Sequence, residues 1–416
     1  MKKIALSIVC ILLVCVMCFN ITGCGNVRTK DLMRNITPQK VPTISDFSVG
    51  NAAMTGFAVR LFKECNPSKQ NTLISPVSVM YALAMTANGA DGETLSQMED
   101  VLGMHTENLN QYLYGYKNSL SQGEGYKLNL ANSIWFDDSA EFNANQDFLQ
   151  INANYYGADI YAADFSKKLT LNDMNNWVNK KTDGIIPSFV ERIEEDDVMF
   201  LINTLMFHAY WSTEYTDSNI KAGTFTCEDG KEQNVKFMHS RESVYLEDEM
   251  TVGFVKSYEL GYRFVAFLPK EGTTISEYVD LLTAQKVSSL LSNTQRATVN
   301  ATIPKFECEY DITLNETLKQ MGMTLAFDED RANLNKIGSA YGARLYIGEV
   351  AHKTFISVDE RGTKAGAATK VKIKKKALVI GEEIKTVNLD RPVVYMIVDS
   401  TNNVPLFIGT VMNVNN

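Results

Sequence analysis

Residues 358–377 read Val358-Asp-Glu360-Arg-Gly362-Thr363-Lys-Ala365-Gly366-Ala367-Ala368-Thr369-Lys-Val-Lys-Ile-Lys374-Lys375-Lys376-Ala377. Small residues crowd the first half, and five lysines fall within 370–376. Taken alternately, one set is Thr363, Ala365, Ala367, Thr369, Val371 and Ile373. The other is Lys364, Gly366, Ala368, Lys370, Lys372 and Lys374. In a strand these sets point to opposite sides of the sheet. The first set can be buried, and the second can stay in water. The stretch is written as a strand, yet Gly362, Gly366 and the alanines give it little strand preference of its own. A weak strand with one buriable face suits a loop exposed in one state and inserted in another. Two plainer readings fit the same pattern. One is a hairpin with an edge strand whose lysines block aggregation. The other is a lysine patch for anionic partners.

Outward from this stretch, His352 to Glu360 reads as a strand. Pro392–Val398 and Val404–Val411 form a strand pair around the turn-rich 399–403. Phe200–Phe207, Phe264–Leu268 and Leu128–Trp135 also read as strands. Ala52–Cys65 has helical spacing. Ser75 is a natural N-cap with Pro76 behind it, and that helix should stop at Gly89. Asn172–Thr182 reads as a helix closed by Gly184, and Asp311–Met321 as a further one. Helices dominate the first half and strands the second. This implies an α+β fold with large, mostly antiparallel sheets and no linker inside 46–414.

The chain has 416 residues, 45% hydrophobic, with a net charge of −9. Such a charge disfavours nucleic acid as a partner. Residues 1–23 read as a signal peptide: Lys2 and Lys3, an apolar run from Ile4 to Phe19, then Ile21-Thr22-Gly23-Cys24. The last four residues resemble a bacterial lipobox, which makes Cys24 the lipidation site. That implies a lipid anchor on the outer side of a bacterial membrane. Residues 24–45 read as a polar tether, and 46–416 as one domain. After Cys24, only Cys65, Cys227 and Cys308 remain, too few and too scattered for a disulfide framework or a metal site. No Gly-x-Ser-x-Gly, metal signature or phosphate loop is present, and none of the four histidines sits in a hydrolase motif. An enzyme is not expected, nor is a cofactor.

Several motifs, in order, carry a family resemblance. They are Asn71…Ser75-Pro76-x-Ser78 with Asn88-Gly-Ala-x-Gly92-x-Thr94, and Asn175-Asn-Trp177 through Thr182-x-Gly184-x-Ile186. Next come Asn203 to Phe207 with Trp211, Pro304-Lys305-Phe306, Leu318-x-x-Met-Gly322-Met323, Arg391-Pro392 and Phe407-Ile-Gly409. With the 358–369 stretch, this series resembles the serpins, the serine protease inhibitors. The resemblance spans about residues 47–414. Gly366 stands where alanine is usual, Thr410 replaces a basic residue, and Gly261 interrupts the segment at Glu259-Leu260. About five extra residues precede Arg391.

The resemblance implies a serpin fold with three β-sheets, about eight to nine helices and an exposed reactive-centre loop over about 361–387. It implies a monomer that traps a target serine protease as an acyl-enzyme while the cleaved loop inserts into the main sheet. The hinge would be Glu360, Gly362, Thr363, Ala365, Gly366, Ala367, Ala368 and Thr369. Counting on from Glu360 places the cleaved bond at Lys376–Ala377, with Lys375 and Lys374 as alternatives, and lysine implies a trypsin-like target. Ser75, Ser78, Asn203 and His352 align with the family's shutter, and Trp211 with its breach. The alternatives are a non-inhibitory serpin acting as a surface binding protein, and an inhibitor of a cysteine protease.

Overall fold

The computed structural model describes residues 29–65, 68–121, 123, 127–139, 141–195, 197–341, 344–364 and 383–414. Among these, nine α-helices and three sheets form. Six helices lie in the first half: α1 (Ser48–Glu64), α2 (Pro76–Ala87), α3 (Gly92–Leu102), α4 (Thr106–Ser119), α5 (Gln146–Tyr155) and α6 (Lys168–Lys181). Three short ones follow: α7 (Ile275–Asp280), α8 (Ala284–Ser292) and α9 (Asn315–Gln320).

The largest sheet by strand number joins β16 (Ile384–Asn388), β11 (Gln295–Pro304), β8 (Glu232–Glu247), β9 (Thr251–Ser257), β10 (Tyr262–Pro269), β17 (Val393–Asp399), β18 (Val404–Val411) and β2 (Thr72–Ile74). Strand β7 (Ile220–Thr226) pairs with β8 at its side. A two-stranded sheet joins β4 (Asn143–Ala144) to β13 (Gly338–Ser339). The sheet that matters most for function has seven strands. Their order is β1 (Lys30–Asp31), β5 (Asp159–Ala163), β3 (Lys127–Asp137), β6 (Met199–Tyr210), β15 (Gly362–Lys364), β14 (Glu349–Val358) and β12 (Phe306–Thr313).

Helix α2 locks the sheets together. Ser75 caps it by accepting from the Ser78 amide at 3.3 Å, and Pro76 follows at the first helical position. All twelve of its residues are buried, as an all-round apolar helix requires. It packs on β3 and β6 of the seven-stranded sheet and on β18 of the other.

Two expectations change. Asp311 is not helical: Phe306–Thr313 is a strand, and helix α9 starts only at Asn315. Phe306, Cys308 and Tyr310 alternate inward with a period of two, and the whole run pairs with β14, so the strand prevails over helical spacing. Residues 29–45, read as a tether, lie along the body. Lys30 and Asp31 pair with Ala162 and Tyr161 on the sheet edge. The Gln39 amide donates to Asn154 Oδ1 at 2.8 Å, and Leu32, Met33, Ile36 and Ile44 pack against the core. Burial of these four apolar side chains offsets the entropy of ordering the segment. Cys65 and Cys308 are buried and Cys227 half-buried, all three as free thiols; burial pushes the first two up to about 12.

Candidate functional site

The centre of the seven-stranded sheet is built in two levels. In its lower part β14 runs parallel to β6 and pairs with it directly, from Glu349 with Phe200 to His352 with Asn203. Higher up the two strands part, and β15 lies between them. Gly362 and Thr363 pair with Tyr210 and Ala209 on one side, and Thr363 and Lys364 with Val358 and Ser357 on the other. Both pairings are antiparallel, so further residues after Lys364 would extend β15 down the gap toward His352.

Four buried polar residues close the lower level. Ser75 and Ser78 come from the start of α2, Asn203 from β6 and His352 from β14. The Ser75 amide can only donate, so His352 Nε2 accepts from it at 3.1 Å. The ring proton is then on Nδ1, which donates to Asn203 Oδ1 at 2.9 Å. The Ser78 hydroxyl donates to the same oxygen at 3.0 Å. Asn203 Nδ2 donates to the Ala351 carbonyl at 3.3 Å. All four side chains are fully buried, and burial lowers the His352 pKa from 6.5 to about 3, leaving the ring neutral. The cluster thus ties the helix to both strands that must part if the sheet opens. Thr354 adds a tie that the sequence did not reveal: its hydroxyl donates to the Leu73 carbonyl at 2.6 Å.

The upper level begins with a turn. Asp359 accepts from the amides of Arg361 (2.8 Å) and Gly362 (3.2 Å), and its own amide donates to the Gly362 carbonyl at 3.0 Å. Aspartate first and glycine fourth is the expected chemistry of such a turn. Gly362 is needed for a further reason: a Cβ there would stand 2.0 Å from the Ala209 carbonyl oxygen. Thr363 is buried and shares a hydrogen bond with the Tyr258 hydroxyl. Glu360 pairs with Lys305, which links β11 to β12. Burial raises its carboxyl, and the Lys305 ammonium more than offsets this, so it titrates below the usual range.

Trp211 stands at the head of the gap. Its ring stacks on Tyr258 at 4.2 Å between centroids and 9° between planes. Its indole N–H donates to the Asp359 carbonyl at 2.9 Å, and its amide to the Arg361 carbonyl at 2.8 Å. The Tyr215 amide donates to the Glu360 carbonyl at 2.9 Å. Trp211 is therefore a clamp on the hinge turn as well as a core side chain.

The expected hinge residues Ala365, Gly366, Ala367, Ala368 and Thr369 lie outside the described residues. So do the bond Lys376–Ala377, its alternatives Lys374 and Lys375, and Cys24 with residues 1–23.

The family model "Serpin (serine protease inhibitor)" matches residues 52–414. The chain belongs to the serpin family. An uncharacterised serpin-like protein of Thermococcus kodakarensis is 29% identical over 371 residues, covering 87% of this chain and 85% of the relative. Among solved structures, the thermophilic serpin tengpin in its native state is 46% identical with a TM-score of 0.88, covering 93% of this chain and all of that one. Tengpin in its latent state is 45% identical with a TM-score of 0.79, over 91% of this chain and all of that one. This serpin thus superposes better on the native form. Its fold, with three sheets and nine helices among the described residues, is the family's.

The contacts around the hinge were unevenly legible. Lys305 lies within the Pro304-Lys305-Phe306 motif, but its partner Glu360 is distant in sequence. Asp359 carried a turn signal. Tyr258, Thr354 and Tyr215 carried none, because each acts through one non-local contact.

Proposed function

We propose that this serpin inhibits a trypsin-like serine protease by covalent acyl trapping and loop insertion. The observation that supports this most is the seating of β15, whose uncharged Thr363 is already buried between β6 and β14. In the proposed reaction the protease serine oxygen attacks the Lys376 carbonyl carbon. The bond to Ala377 breaks, and the Ala377 nitrogen leaves as a free amine carrying the proton from the protease base. Residues 365–376 then lengthen β15, so that 363–376, a run of 14 residues, spans roughly 46 Å at about 3.3 Å per residue. The attached protease travels with it and is deformed against the far pole. Loss of its preorganised donors leaves the ester unhydrolysed.

Incubating the mature protein with a panel of proteases tests this. Trypsin-like members should give an SDS-resistant adduct, and Lys376→Glu should weaken it. Cleavage of the loop with no adduct overturns the reading in favour of a binding role. An adduct only with cysteine proteases would reassign the target class.

We also propose that Cys24 is lipidated after removal of residues 1–23, placing the protein outside a bacterial membrane. Cys24→Ser should move it from the membrane fraction to the medium; retention would refute the anchor.

A further inference from the structure

Lys256, on β9, is 2% exposed and carries a charge into the body beneath the hinge. Its ammonium bonds to Glu242 Oε1 on β8 at 3.1 Å and to the Thr213 carbonyl at 3.2 Å. It also stands 5.2 Å from the ring centroid of Trp211 and 4.2 Å from that of Tyr215. Its strand neighbours Phe254 and Val255 are buried and apolar. An apolar side chain at 256 would avoid the desolvation cost of a buried ion pair. The charge is therefore a poor filler of that space, and its contacts indicate what it does.

Those contacts converge on one object. Trp211, through its indole and its amide, and Tyr215, through its amide, both hold the hinge turn by the carbonyls of Asp359, Arg361 and Glu360. Both present a ring to the same ammonium, and attraction between a cation and a ring strengthens away from water. Glu242 fixes the ammonium from the other side. The chain of contact runs from Glu242 to Lys256, to the two rings, to the turn and to β15.

We propose that Lys256, held by Glu242, is a positioning residue for loop insertion. It keeps Trp211 and Tyr215 in place, so that the turn and β15 form a ready first rung on which the rest of the loop zips. The proposal rests on the inhibitory reading above. Insertion races against hydrolysis of the acyl-enzyme, so a loosened first rung slows insertion and lets more protease escape.

The test compares the wild type with Lys256→Met combined with Glu242→Gln, which leaves no bare buried charge, and with Lys256→Arg. Two quantities are read: the ratio of cleaved, unbound serpin to covalent adduct with trypsin, and amide hydrogen exchange at residues 362–364. In the double variant the ratio should rise at least about threefold and exchange quicken roughly fivefold, as loss of about 1 kcal/mol of clamping implies. Lys256→Arg keeps the cation and should stay near wild type in both. A double variant that melts at lower temperature but keeps both the wild-type ratio and the wild-type exchange overturns the proposal, since a purely structural pair would behave so. If the wild type gives no adduct with any serine protease, the inhibitory reading falls instead, and exchange still reports whether the clamp exists.

Discussion

His352 and Asn203 are the last register pair at which β14 and β6 lie side by side, and their side chains bond each other at 2.9 Å. Downward growth of β15 must break that bond once it reaches this level. The shutter is thus the lock at the foot of the gap, and the turn at Asp359–Gly362 is the pivot at its head.

The lock is sensitive to pH. Folded His352 has its pKa lowered to about 3 by burial, against 6.5 for a free histidine. Between these values the unfolded chain takes up a proton that the folded one refuses. Stability from this group is complete above pH 6.5 and falls as pH drops toward 3, by about 1.4 kcal/mol per pH unit. At pH 5 the loss is about 2 kcal/mol relative to pH 7.5. Urea midpoints at these two pH values should therefore drop less in His352→Gln than in the wild type. An equal drop in both would show that the ring does not control it.

Charge at the hinge should convert the inhibitor into a substrate. Thr363 is 1% exposed, so Thr363→Glu would have to bury a carboxylate beside the Tyr258 hydroxyl or leave the gap. Leaving costs the body little, because only a three-residue strand is lost. Gels after trypsin treatment should show cleaved variant in place of adduct, with the melting temperature of the uncleaved protein nearly unchanged. Persistent adduct at the wild-type yield would contradict this placement of Thr363.

Gly362→Ala tests the close approach of β15 to β6. The added methyl meets the Ala209 carbonyl oxygen at 2.0 Å, too near for a small shift to relieve. Overpacking of this kind costs about 1–3 kcal/mol. Because β15 can leave the gap at little cost to the body, the measurable outcome is faster amide exchange at residues 363 and 364 with the urea midpoint nearly unchanged; wild-type exchange would mean that the strands are further apart.

Ser75 has two separable roles. Its hydroxyl caps α2, and its amide supports His352. Ser75→Ala removes only the first, for about 1 kcal/mol. Its stability should therefore fall by that amount while the pH dependence from His352 stays as in the wild type. A flattened pH profile would show that the hydroxyl also holds the ring.

Much of this was legible in the sequence. The cap at Ser75 and the helix behind it followed from local chemistry, as did the largely apolar strands Phe200–Phe207 and Phe264–Leu268. The alternation from Thr363 onward also held for the part described: Thr363 faces inward. The misreading of Asp311 came from a short polar strand whose identity depends on its partner β14, a contact local spacing does not carry. The docking of Lys30–Asp31 was hidden for the same reason, since two charged residues make a strand only when an edge is offered. Lys256 shows the limit most clearly. Its role lies in Trp211, Tyr215 and Glu242, residues 14 to 45 positions away that only the fold brings together.

If Cys24 carries the proposed lipid, the edge strand β1 sets an orientation. Lys30 pairs with Ala162, near the end of β5 that runs alongside Asp137, next to the Met199 end of β6. The hinge occupies the Tyr210 end of the same strand, roughly 36 Å away at about 3.3 Å per residue. A lipid on Cys24, five residues before Thr29, could stand no more than about 18 Å from Thr29. So anchored, the molecule would stand upright with its bait outward, and a captured protease would be delivered to the pole facing the bilayer. The leash would then have to peel from the sheet edge to make room for its load.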